Sequence, residues 1–312
     1  MSRTTPEQGR RTTVVADDGV PIAVHEYGPA DAGVTAVFLH GHCMQSRSWD
    51  LLRSALEASW GTRVRMVFYD HRGHGRSGHA DASTYTIDQL GRDLDAVITT
   101  VAPSGPLVLI GHSMGGMTVL TYARQQPDSV RGRVVGIALI STAAGGLADT
   151  GLGRLLRGPA IAAFHAAVRW APRVTAGSKR VSCLVGAAAV RVAGTRGRVA
   201  DPRMVAVVAA MAGETSVVTM SSYLKSFVDF DESAAVTALA GIPTVVVCGS
   251  ADVLTPVSHS EALAAGLPGA DLVCITGAGH SVIVERAAEV AAVLDGLIAR
   301  VAGDRGTLLP AG

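Results

Sequence analysis

The chain has no excess of charge of either sign: 27 basic and 26 acidic side chains leave a net charge of +1 over 312 residues. No global basic surplus is available for a phosphate backbone, so no nucleic acid is expected as a partner. Long apolar runs are also missing. The most apolar stretches, such as 181–190 and 204–213, are about ten residues long, well short of the roughly 18 that argue for crossing a bilayer, and no transmembrane segment is expected. The opening MSRTTPEQGRRTTVVADDG carries Arg10 and Arg11. The apolar stretch that a twin-arginine export signal needs is cut off by Asp17 and Asp18. Cysteine is sparse, and Cys43, Cys183, Cys248 and Cys274 show no metal-ligand spacing. Cys248 and Cys274 fall in apolar β-type runs, where a thiol acts as a small hydrophobe, so a reducing, cytoplasmic setting is the simplest expectation. Aromatic residues make up only 4%, and Lys179 and Lys225 are the only lysines. With so much arginine, alanine, glycine and valine, this composition reads as a coding bias, not a physical requirement.

What is present is a large apolar inventory, 48% of residues, enough for the core of one sizeable α/β domain. β-type runs are expected near 11–16, 22–27, 35–39, 65–69, 107–110, 133–140, 244–247 and 272–275, with helical patterns between most of them. The first two, joined at Asp18-Gly19, predict a hairpin. The later runs are continuously apolar, as strands of a parallel sheet are when helices cover both faces. An eight-stranded, mostly parallel sheet flanked by helices follows, and in such sheets the working residues lie beyond the carboxyl ends of the strands.

Four segments place chemistry at those ends. Residues 107–116, LVLIGHSMGG, centre Ser113 in G-x-S-x-G between a β-type and a helical run, the context of a sharp strand-to-helix elbow that presents a nucleophile. VTAVFLHGHC at 34–43 ends a β-type run in His-Gly. VVVCGSADVLTP at 245–256 places Asp252 after another, and LVCITGAGHSV at 272–282 does the same for His280. The order Ser, Asp, His differs from that of the chymotrypsin and subtilisin arrangements. In these motifs the chain resembles the α/β-hydrolase superfamily, in its branch of serine esterases, lipases and cofactor-free haloperoxidase-like enzymes, across about residues 12–300.

The resemblance implies roles residue by residue. Ser113 would be the nucleophile, His280 its general base and Asp252 the group that holds the imidazole. The backbone N–H groups of Met114 and His42 would form the oxyanion hole, with His40 and Gly41 bracing that loop. Asp70-His71-Arg72-Gly73-His74-Gly75-Arg76-Ser77 matches the family's structural D-x-R-G-x-G-x-S loop. No cofactor is implied. GHGRSG at 73–78 formally fits the dinucleotide fingerprint, but it runs into a loop instead of a helix that could hold pyrophosphate. His40, His42, His71, His74 and His79 lack the further carboxylate and histidine of metallohydrolase strings, so no metal is expected. His112, inside the elbow, reads as a packed residue. Asp149 lies too far beyond the sixth strand to replace Asp252.

Residues 143–232 lose the strand pattern and read as a helical lid inserted after the sixth strand, with runs at 152–157, 161–170 and 204–211. The core would then be 12–142 and 233–302, with tails at 1–11 and 303–312. Within 143–213, ten basic side chains (Arg154, Arg157, Arg169, Arg173, Lys179, Arg180, Arg191, Arg196, Arg198 and Arg203) face Asp149 and Asp201. This is a solvated face or a surface for anionic lipid or an acidic acyl carrier. Leu155, Phe164, Trp170 and Met211 are candidates to cover a lipophilic acyl pocket. The expectation is a cofactor-independent serine hydrolase for small lipophilic acyl esters. Perhydrolase, thioesterase, acyltransferase and carbon–carbon hydrolase chemistry stay open, as does a non-catalytic receptor on the same fold. Oligomeric state is not encoded in any pattern read here. A serine at the elbow disfavours epoxide hydrolase and haloalkane dehalogenase, which use aspartate there.

Overall fold

The computed structural model describes residues 9–170 and 202–304. Eight strands form one sheet: β1 (Arg10–Val15), β2 (Pro21–Tyr27), β3 (Val34–Leu39), β4 (Val64–Tyr69), β5 (Leu107–His112), β6 (Val134–Ile140), β7 (Thr244–Gly249) and β8 (Asp271–Ile275). Their spatial order is β1-β2-β4-β3-β5-β6-β7-β8. β1 pairs antiparallel with β2, and β2 with β4; all other neighbours are parallel. Every expected strand is present with ends shifted by at most two residues. The hairpin turns at Gly19, whose φ of 85° suits a residue without Cβ.

Alternation along the central strands divides the core into two layers. Val37, Leu39, Leu107 and Leu109 join the cluster covered by helices Ile87–Val101 and Met114–Gln125. Their neighbours Ala36, Phe38, Val108 and Ile110 join the opposite cluster, beneath helices Asp50–Trp60 and Ala287–Asp304. Burial on both faces explains why these strands read as unbroken apolar runs instead of alternating ones. The chain moves from β3 outward to β4 and returns to β5 on the other side of β3. That reversal opens a crevice at the carboxyl ends of β3 and β5, where Gly41, His42 and Ser113 lie.

Three expectations change. Arg10 and Arg11 belong to β1, pairing with Glu26 and His25, and not to a tail. The last helix runs to Asp304, past the expected core boundary. Cys274, expected in the core, is exposed, because β8 is the sheet edge and its outer positions are left largely uncovered. Between β6 and β7 the described residues form short 3₁₀ turns at Leu147–Asp149 and Gly151–Arg157, then helices Pro159–Trp170, Pro202–Glu214, Val217–Val228 and Ser233–Thr237. Of the basic residues in that insertion, Arg173, Lys179, Arg180, Arg191, Arg196 and Arg198 lie outside the described residues. Asp149, the rival acid, is on the surface and pairs with Arg157.

The loop after β4 is held by a buried ion network. Arg72 binds Asp93 through two bonds of 2.7 and 2.6 Å, and it also reaches Asp18 in the hairpin turn at 2.6 Å. Neither Arg72 nor Asp93 has an exposed side chain, so removing one partner strands the other's charge. Arg72→Met is expected to lower unfolding free energy in urea titrations by about 3–5 kcal/mol, and adding Asp93→Asn should recover part of it. Purely additive losses in the double variant would contradict this pairing.

Candidate active site

Ser113 sits on the turn between β5 and helix Met114–Gln125 with φ 53° and ψ −118°, a conformation a residue with a Cβ adopts only under strain. Close contacts hold it there. A methyl group on Gly115 would collide with the Leu39 carbonyl, and one on Gly41 would lie 2.8 Å from His112 Nδ1 and 3.2 Å from Ser113 Cβ. The elbow is also anchored to the end of β6: Ser113 N–H donates to the Ile140 carbonyl (2.9 Å), and Thr142 Oγ1 donates to the Ser113 carbonyl (2.8 Å).

The three residues expected to act together meet. Ser113 Oγ lies 2.9 Å from His280 Nε2, and His280 Nδ1 lies 2.8 Å from Asp252 Oδ2. Asp252 further accepts from the Leu254 N–H (2.9 Å), the Thr255 N–H (2.9 Å) and Thr255 Oγ1 (2.6 Å). An acceptor so saturated is fixed in place and stays ionised. Burial pushes the Asp252 carboxyl up, but His280 and these donors outweigh it and hold it below the ordinary value. Burial pulls His280 down, and the Asp252 charge and hydrogen bond outweigh it and raise the imidazole above 6.5. With Asp252 accepting from Nδ1–H, neutral His280 turns a bare Nε2 toward the serine hydroxyl.

The loop carrying His280 is itself braced. Glu285 accepts from the Gly279 N–H (2.8 Å), and His112 Nε2–H donates to the His280 carbonyl (2.9 Å). His112 is therefore more than packing: its ring ties the elbow to the histidine loop.

On the other side, the loop after β3 is held on both flanks of His42. His40 Nδ1–H donates to the Gly41 carbonyl (2.8 Å) while its Nε2 accepts from the His71 N–H (3.0 Å). His74 Nε2 accepts from the Cys43 N–H (3.1 Å), and its Nδ1–H donates to the Arg72 carbonyl (3.1 Å). The backbone N–H groups of His42 and Met114 donate to no other group among the described residues, which leaves both for a ligand oxygen. These histidines use their ring nitrogens on the backbone, and among the described residues no cluster could hold a metal ion.

The His42 ring packs edge-on against His74, Tyr223 and Phe227 at 5.8, 5.7 and 5.4 Å between centroids. Helix Val217–Val228, which supplies Tyr223 and Phe227, falls within the expected helical insertion but outside its three expected runs, although Val217, Met220, Tyr223 and Phe227 recur at helical spacing. Of the expected pocket residues, Met211 is fully buried and Phe164 is half-buried, whereas Trp170 is 85% exposed. Trp170 lines a groove of about 1280 Å³ whose walls include none of Ser113, Asp252 and His280.

The model of the alpha/beta hydrolase family matches residues 36–293. Non-heme chloroperoxidase of Streptomyces lividans is 38% identical over 135 residues, 41% of this chain and 44% of that protein. Probable oxidoreductase EphD of Mycobacterium tuberculosis is 37% identical over 119 residues, 38% of this chain. The matched stretch spans under half of the chloroperoxidase and only 19% of EphD. Among solved structures, a thermophilic esterase from Thermogutta terrifontis superposes with a TM-score of 0.73 at 20% identity, covering 94% of this chain and 99% of the other.

Burial makes the braces acid-sensitive. It holds His42 at about 4 and His112 at about 3, and pulls His40, His71 and His74 down as well. The unfolded chain takes up these protons near 6.5 and the folded chain only at lower pH, so their stability contribution is complete above 6.5 and is lost as pH falls. His280, shifted upward, acts in the opposite sense as a single group. Urea midpoints should fall between about pH 6.5 and 5.5, where ordinary carboxylates remain ionised. A flat or rising midpoint over that window would contradict the neutral-histidine bracing.

Proposed function

Because the chain belongs to the alpha/beta hydrolase family, we propose that this hydrolase is a serine esterase that cleaves small lipophilic carboxylic esters through an acyl-enzyme on Ser113. The observation that carries the reading is the continuous hydrogen-bonded path from the Ser113 hydroxyl through His280 to Asp252, presented on a strained elbow. In attack, His280 Nε2 takes the hydroxyl proton as Oγ bonds the acyl carbon, and the resulting imidazolium is stabilised by Asp252. The oxyanion meets the N–H groups of Met114 and His42. His280 then returns its proton to the leaving alcohol, and a water, activated by the same nitrogen, frees the acid. All of this uses groups the chain already supplies.

The inserted helices act in this reading as a lid, with Met220, Tyr223 and Phe227 giving an apolar cover beside His42. Their character supports a lipophilic acyl group over a polar one. Phe164 and Met211 remain pocket candidates on this reading, and the protein works in the cytoplasm. The likeness to a chloroperoxidase favours one second reading, in which peroxide takes the acyl group from Ser113 in place of water.

Rates over nitrophenyl esters of rising acyl length, with and without hydrogen peroxide, test both. Hydrolysis should rise beyond acetate, and Ser113→Ala or His280→Ala should lower kcat on the order of 10⁴- to 10⁶-fold, with Asp252→Ala milder. Acetate as the only ester turned over would overturn the lipophilic reading, and an unaffected Ser113→Ala variant would overturn the mechanism. The kcat/KM profile should rise with pH through a midpoint above 6.5, because the base must be neutral and Asp252 raises its pKa.

A further inference from the structure

Cys248 and Cys274 are register partners on the adjacent parallel strands β7 and β8. Partners in a parallel pair present their side chains on the same face, and a strand spacing of about 4.8 Å sets their Cα atoms inside the range of roughly 4.4–6.8 Å that a disulfide spans. Their exposure differs. Cys274 is open to solvent on the edge strand, while Cys248 is fully buried beside it. We propose that this pair is a peroxide-responsive modification site, in which a Cys248–Cys274 disulfide forms reversibly and lowers turnover at Ser113.

The chemistry follows the difference in exposure. A hydroperoxide reaches Cys274, whose thiolate attacks the O–O bond: an S–O bond forms, the O–O bond breaks and hydroxide or alkoxide leaves. The Cys248 sulfur then attacks the Cys274 sulfur, forming S–S as S–O breaks, and the thiol proton leaves with the hydroxyl group as water. Two thiols supply the two electrons, and the peroxide is reduced to water, or to alcohol and water. Burial pushes the Cys248 thiol up to about 12, which disfavours it as the first attacker and leaves that step to the exposed Cys274.

Position gives the bond its consequence. Asp252 follows β7 directly and His280 follows β8, and the two loops interlock. Ser250 N–H donates to the Ile275 carbonyl (3.0 Å), Ala251 N–H to the Ala278 carbonyl (2.9 Å), and Gly277 N–H to Ser250 Oγ (2.8 Å). A methyl group on Gly249 would collide with the Ala278 carbonyl, so this junction has no slack. A disulfide prefers Cα atoms about 5.5–6 Å apart, wider than the strand spacing of about 4.8 Å, so the bond pushes β8 away from β7 by up to roughly an ångström. Misplacement of that size between a base and its orienting acid can cost about 100-fold in rate.

The effect on turnover rests on the esterase reading; formation of the bond does not. The test treats the full-length protein with hydrogen peroxide, maps disulfides by peptide mass spectrometry, and follows nitrophenyl ester hydrolysis before and after a thiol reductant. A Cys248–Cys274 peptide with a rate loss of at least about 10-fold, restored by reductant and absent in Cys274→Ser, is expected. Absence of that peptide overturns the site, and its formation at unchanged rate overturns the coupling. Equal loss in Cys274→Ser places the peroxide damage elsewhere and also overturns the proposal. A protein with no esterase activity before treatment fails the functional reading alone, since the mapped peptide still decides whether the thiols pair.

Discussion

The structure depends on one close backbone approach, where the loop after β3 and the first turn of helix Met114–Gln125 meet around Ser113. Gly115 against the Leu39 carbonyl and Gly41 against His112 and Ser113 leave no room for a side chain. That contact forces the positive φ of Ser113 and brings the N–H groups of His42 and Met114, without partners among the described residues, to the same end of the sheet as its hydroxyl. The strain, of order 1–3 kcal/mol for one such residue, is tolerated because anchors on β6 and the packed sheet over-determine the turn.

Around the elbow, histidines serve as neutral connectors. His40 and His74 each accept from one N–H and donate to one carbonyl, fastening the loop on both sides of His42 to the loop after β4. His112 does the same for the His280 loop with a single donated bond. His40 and His74 can accept only as uncharged rings, and burial holds all three rings neutral. His280 is the exception, because it faces a buried carboxylate that three further donors hold in place. One residue type thus takes two protonation behaviours within a short distance, set by whether its partner is a backbone group or Asp252.

Much of this was legible in the amino-acid order. Strands buried on both faces leave unbroken apolar runs, so β3, β5, β6 and β7 could be read directly; Ser113 follows β5 and Asp252 follows β7, while His280 follows the edge strand β8. The braces could not be read. His74, His112 and Glu285 bind backbone groups, which carry no sequence signature, and the Cys43 and His280 partners of the two histidines lie far along the chain. Cys274 looked like a core residue because edge position is a property of strand order, not of the strand's own residues. Helix Val217–Val228 lies in the expected helical insertion, but no expected run marked it, although its inward positions are apolar. The role of its Tyr223 and Phe227 rests on the His42 ring that they meet in space.

The central claim is that His280 and Asp252 activate the Ser113 hydroxyl, and phosphonylation by a fluorophosphonate, with loss of fluoride, reports this directly. Intact-mass and peptide analysis should show one adduct per chain, on Ser113, forming rapidly in the wild-type protein, orders of magnitude more slowly in His280→Ala, and not at all in Ser113→Ala. Equal labelling of the wild-type and Ser113→Ala proteins, or an adduct on another residue, would contradict the account.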